Sequence, residues 1–134
     1  TRLEIYNSAI KMVMNNPLFG NGAASFPVIY EFQTGFWKGH SHNLIIELSI
    51  SYGLPCTIIL ITFFYNVLYH SFKKIYIQKE TNINDIGFFI ASIVFLLSQL
   101  IDIQYFDGRI SLVFWLLLTG LKCIIDENKI IKYE

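Results

Sequence analysis

Three long apolar runs occupy the second half of the chain, and shorter mixed segments fill the first. Leu54 to Phe72 is apolar apart from Thr57, Thr62, Asn66, His70 and Ser71. With a rise of about 1.5 Å per residue it predicts a helix about 28 Å long, close to the thickness of a bilayer's hydrocarbon core. The runs Ile86 to Ile101 and Ile110 to Ile125 sit near the short limit of roughly 17 residues for a span and would recruit flanking residues. None of the three carries the polar stripe that a helix of a soluble bundle shows to water. The pattern therefore predicts an all-α integral membrane chain with about three transmembrane helices, at 54–72, 86–101 and 110–125.

Residues 1–53 read as a region of loops and amphipathic helices outside the membrane, and 54–134 as the spans with their connecting loop and tail. From Thr1 to Asn16, Leu3, Tyr6, Ile10, Val13 and Met14 recur at helical spacing between Glu4, Asn7 and Lys11. Asn15-Asn16-Pro17 stops that helix, because the residue before a proline is pushed out of the helical region. "PLFGNGAASFP" follows as a glycine-rich turn, and Val28 to Lys38 as an irregular loop or short helix. Asn43 to Ser51 reads as a short helix. Gly53-Leu54-Pro55 ends it and opens the next, since a proline in a first turn lacks only an N–H that has no helical partner.

Composition agrees with the pattern. The chain is 54% apolar by side chain, above the roughly 45–50% usual for soluble domains. Ten basic and ten acidic residues balance with no basic stripe, which excludes a nucleic-acid surface. Cys56 and Cys123 lie in apolar runs without CxxC partners, so neither a disulfide framework nor a zinc site is expected. The chain starts at Thr1 without methionine and enters a helical pattern at once, which reads as the C-terminal piece of a longer protein. Lys73, Lys74 and Lys79 fall between the first two spans, and Lys122, Lys129 and Lys132 in the tail. The positive-inside tendency then puts the C-terminus in the cytoplasm, and residues 1–53 and about 102–109 on the outer face.

That orientation gathers His40, His42, Asp102, Asp107 and Arg109 on one side of the membrane. Histidine is the natural general base near neutral pH. Spacing alone leaves His40 and His42 as polar loop residues, with Ser41 or Asn43 capping the helix that follows. Two histidines do not make a metal site, and no third ligand stands at a useful spacing. "GNGAAS" lacks the third glycine and the preceding strand of a dinucleotide fingerprint. It reads as a turn that leaves backbone N–H groups exposed. Asp102, Asp107 and Arg109 read first as charges marking a membrane boundary, with Arg109 also able to hold an anionic headgroup. Tyr30, Phe32, Phe36 and Trp37 read as an aromatic belt at headgroup depth.

Taken in order, the motifs resemble the O-antigen ligase/polymerase superfamily of membrane proteins. The pattern is an arginine, an amphipathic helix, P-L-x-G-x-G, a loop, H-x-H-N, an apolar helix and G-L-P. Here these are Arg2, Pro17-Leu18-Phe19-Gly20-Asn21-Gly22, His40, His42-Asn43 and Gly53-Leu54-Pro55. "DIQYFDGRISLVFWLLLTGL" is similar to the last spans of such proteins. The resemblance implies a fragment of a polytopic GT-C-like fold in a bacterial inner membrane. It implies transfer of a glycan from undecaprenyl diphosphate to an acceptor, a lipid A-core or another lipid-linked repeat, on the periplasmic face. It implies neither a cofactor nor, for ligases, a metal. By position it makes His42 the base and Arg2 a diphosphate contact, with His40, Asn43 and Arg109 as further substrate-binding candidates. Membrane lipid, the lipid-linked donor and a glycan acceptor are the implied partners. Competing readings are a transporter of a small anion such as bicarbonate and a non-catalytic remnant. A transporter would place ionisable groups along its spans, whereas here the notable polar groups in the spans are Asn66, His70, Ser98 and Gln99.

Overall fold

A computed structural model describes residues 1–77, 82–104 and 107–130, with 127–130 as backbone only. Five α-helices follow in order: α1 (Arg2–Asn15), α2 (Ser25–Thr34), α3 (Leu44–Phe72), α4 (Ile83–Ser98) and α5 (Gly108–Ile130). No strand occurs among the described residues. The chain divides into two compact units, Thr1–Ile61 with Gln99–Ile103, and Thr62–Ser98 with Gln104–Glu134.

In the first unit, the Thr1 hydroxyl caps α1 by accepting the Glu4 backbone N–H. Its buried stripe is Ile5, Ala9 and Met12, packed with Phe26 and Tyr30 of α2 and Ile50 of α3. The predicted apolar stripe was displaced around the helix: Leu3, Ile10 and Met14 are exposed. Hydropathy alone ranks Leu3 and Ile10 above Ala9. The side of α1 that joins Phe26, Tyr30 and Ile50 nevertheless carries Ala9. Tyr30 is likewise corrected from the belt to the core, at 6% exposure and stacked on Phe26, whereas Phe32, Phe36 and Trp37 are exposed.

α3 is two helices joined at Gly53, whose φ of 82° and ψ of 168° are not helical. The break leaves backbone groups without helical partners. Pro55 has no N–H to offer the Ser51 carbonyl, and Leu54 N–H donates to the Pro17 carbonyl instead of back along the helix, at 2.7 Å. The glycine turn supplies the missing donors. Asn21 N–H donates to the Ile50 carbonyl at 2.6 Å and Gly22 N–H to the Ser51 carbonyl at 3.0 Å. The Asn21 and Gly22 N–H groups are thus taken by α3 and the Gly20 N–H by the Asn16 carbonyl, which corrects the expectation that the turn leaves them exposed. The two segments touch backbone to backbone. A Cβ on Gly20 would lie 2.6 Å from the Ser51 carbonyl, and one on Gly53 would run into the Leu18 carbonyl. The Asn21 side chain completes the seam, donating to the Met12 and Ile50 carbonyls and accepting from Asn16.

The apolar core of the second unit is Val67, Ile75, Phe89, Phe114, Leu118, Leu121 and Ile124, with Ser71, Lys74 and Ser92 also buried in this unit. Phe114 stacks on Phe95 and meets Phe64 edge-on. Gly120 lets α4 approach, since a Cβ there would sit 2.5 Å from the Phe88 ring. Helix continues past Phe72 as a π-helical turn, Lys73–Ile77. Lys73 and Lys74 are therefore helical rather than loop residues. Lys74 is buried and donates to the Ile124 carbonyl at 2.6 Å. Lys79, Lys132 and the centre of the 102–109 turn lie outside the described residues.

Two helical stretches are long and apolar enough to cross a membrane: Leu44–Ile77, with mean hydropathy 2.0, and Gly108–Asp126, with 1.7. The run expected at 86–101 forms a helix of 16 residues shifted three positions toward the N-terminus, Ile83–Ser98, shorter than those two stretches. It stops early because the Gln99 and Leu100 carbonyls turn to the start of α3, where Leu44 N–H and the Asn43 side chain take them.

Candidate functional site

The loop His40–Asn43 and the segment Gln99–Ile103 meet within the first unit. α3 begins here, and its first N–H groups are all satisfied. Leu44 N–H donates to the Gln99 carbonyl at 3.0 Å, and Glu47 N–H to the Asn43 carbonyl at 2.9 Å. Asn43 Oδ1 accepts from Ile45 and Ile46 N–H at 3.0 and 3.2 Å. Asn43 Nδ2 donates to the Leu100 carbonyl at 3.0 Å. One asparagine thus caps the helix and ties it to the segment that carries Asp102.

His42, just before this cap, holds a left-handed φ of 59°. A non-glycine residue there is strained by about 1–3 kcal/mol and persists only when its surroundings enforce it. The turn aims its ring at Asp102, with Nδ1 2.9 Å from Oδ1. His40 Nε2 stands 3.9 Å from the same oxygen, and the two rings meet edge-on with centroids 4.5 Å apart. Both histidine side chains are 27% exposed and Asp102 is 50% exposed, so the cluster is open to water on one side.

The hydrogen from His42 sets the electrostatics. It holds the Asp102 carboxyl below the usual carboxylate range, against some desolvation. The charges of His42 and His40 and the Ile103 N–H add to that effect. An ionised carboxylate only accepts, so neutral His42 carries its proton on Nδ1 and leaves Nε2 as a base. The His42 N–H donates to His40 Nδ1 at 3.3 Å, which puts the neutral His40 proton on Nε2, toward Asp102.

His40, His42 and Asp102 offer ligand atoms within 4.8 Å of one another. Their donor types suit a divalent transition metal with water completing its shell. The hydrogen bonding favours a proton network instead. Ligating histidines donate from their second nitrogen, yet that nitrogen of His40 accepts, and His42 Nδ1 holds the proton that Asp102 receives.

Arg2 is exposed at the start of α1 in the same unit. Arg109 belongs to the second unit, where it is 93% exposed and pairs with Asp107 at 3.3 Å. That pairing lowers the Asp107 pKa. The geometry therefore brings together His40, His42 and Asn43 of the sequence candidates, and adds Asp102. Its signal in the sequence was the predicted shared face, which placed it with the histidines but named no partner.

Residues 1–61 match the O-antigen ligase family model. The match bears out the resemblance read from the ordered motifs, and it ends where the continuous part of the first unit ends. It contains the arginine, both glycine motifs and the histidine loop, while Asp102 joins the unit from beyond it. No curated protein and no solved structure matches the chain. The two long apolar helices and the O-antigen ligase match over residues 1–61 both point to a membrane protein.

Proposed function

We propose that the chain forms the catalytic face of an O-antigen ligase/polymerase-type glycosyltransferase and acts as part of a longer protein. It moves a glycan from undecaprenyl diphosphate to an acceptor hydroxyl at the periplasmic face of a bacterial inner membrane. The observation that carries this reading is the His42–Asp102 pair beside the O-antigen ligase motifs. In a single inverting displacement the acceptor oxygen attacks the anomeric carbon as the bond to the diphosphate breaks. The hydroxyl proton passes to His42 Nε2. Asp102 keeps the ring in the tautomer that exposes Nε2 and stabilises the imidazolium that forms. Arg2 is assigned to the diphosphate, whose charge a guanidinium can receive with two parallel hydrogen bonds. His40 and Asn43 line the same loop, and Arg109 is a further candidate for an anionic headgroup.

The test is transfer from a lipid-linked donor in membranes carrying the full-length protein, its His42→Ala variant and its Asp102→Asn variant at equal expression. Loss of a general base predicts transfer about 100-fold to 10,000-fold lower for His42→Ala. Equal transfer by parent and variant would remove His42 from the chemistry.

A further inference from the structure

Glu47 is a carboxyl group that the transfer chemistry does not use, yet it is 3% exposed on the first turn of α3. Burying a carboxylate is costly unless it is well bonded. Its Oε2 accepts the backbone N–H of Ser41 at 2.8 Å. Ser41 is fully buried, and its hydroxyl donates to the Asn43 carbonyl at 3.2 Å. Ser41 is the residue between the two histidines. Its peptide therefore sets where both rings point, and a carboxyl oxygen six residues on holds that peptide against the helix. The strained turn at His42 follows directly.

We propose that Glu47 is a positioning residue for His42. Through the Ser41 amide it clamps the histidine loop so that His42 Nδ1 reaches Asp102 and Nε2 faces outward. An acceptor atom at this point is what the loop requires. Glutamine, with a carbonyl oxygen in the same place, meets that requirement, and leucine, of similar bulk, does not. The functional consequence rests on the reading of His42 as the base, but the structural consequence does not.

The experiment uses the full-length protein in nanodiscs, as wild type, Glu47→Gln and Glu47→Leu. Backbone hydrogen exchange at Ser41 and the ring nitrogen spectra of 15N-labelled histidine are read first. Wild type and Glu47→Gln are expected to protect the Ser41 amide and show the Nδ1-protonated His42 tautomer. Glu47→Leu is expected to lose the protection and mix the tautomers. Unchanged exchange and spectra in Glu47→Leu overturn the proposal. Should that variant not fold, loss of the tautomer in folded Glu47→Gln overturns it equally. Glycan transfer is then measured on the same samples. A displaced base predicts a fall of about 10-fold to 100-fold for Glu47→Leu, with rescue in Glu47→Gln. A disturbed histidine with undiminished transfer upholds the clamp and refutes the base.

Discussion

Each of the two units is held together internally by a different kind of contact. Around the histidine loop, backbone atoms are in contact with backbone atoms, and glycines, asparagines and a buried carboxyl fill the joints. In the second unit, aromatic and aliphatic side chains interlock between α4 and α5. A backbone joint admits one geometry, because a carbonyl cannot turn aside. A packed apolar surface can repack with little change in energy when volume is conserved. The backbone joints lie in the unit that holds the His42–Asp102 pair, where the proposed transfer needs its base held in place.

The sharpest break of that contrast is Gly53→Ala. It adds a methyl against the Leu18 carbonyl and forces alanine to a φ of 82°. Strain and overpacking together predict a loss of roughly 3–5 kcal/mol, read as thermal unfolding in detergent. Gly22→Ala separates the two causes. It meets open space at a φ of 98° and should cost only the strain, about 1 kcal/mol.

Gly120→Ala tests the other unit. Its methyl meets the Phe88 ring, which can rotate, and alanine favours helix by about 1 kcal/mol. The net loss should be about 1 kcal/mol, well below that of Gly53→Ala although the Cβ is similarly crowded. Equal losses in the two variants would remove the distinction between backbone joint and side-chain packing. Asn43→Ala removes a helix cap and the tie to Leu100, and should cost about 1 kcal/mol. It should also loosen Gln99–Ile103, seen as faster amide exchange there.

The smallest effect concerns pH. Asp102 has its pKa lowered in the folded state, so its contribution to stability is present above the ordinary carboxylate range. That contribution is lost as pH falls through the lowered value. At 50% exposure it should stay below about 1 kcal/mol, and Asp102→Asn should flatten that part of the stability–pH curve.

Much of this was readable in the residues. The proline and glycine breaks ended helices near the expected places, because they act through their own φ and N–H and need no partner. The long apolar runs formed helices because nothing in them favours another state. The order of Pro17–Gly22, His40–Asn43 and Gly53–Pro55 carried the resemblance to the O-antigen ligase family that residues 1–61 match, since order along a chain is a property of the chain. Three-dimensional contact decided the rest. It chose Ala9 over Leu3 for the core, because which face of a helix is covered is set by tertiary packing and not by hydropathy. It turned the Asn21 and Gly22 amides toward α3, because a broken helix leaves carbonyls that need donors. It ended α4 at Ser98 and brought Asp102 to His42 across 60 residues. No local pattern encodes that pairing, which depends on where a distant turn comes to rest.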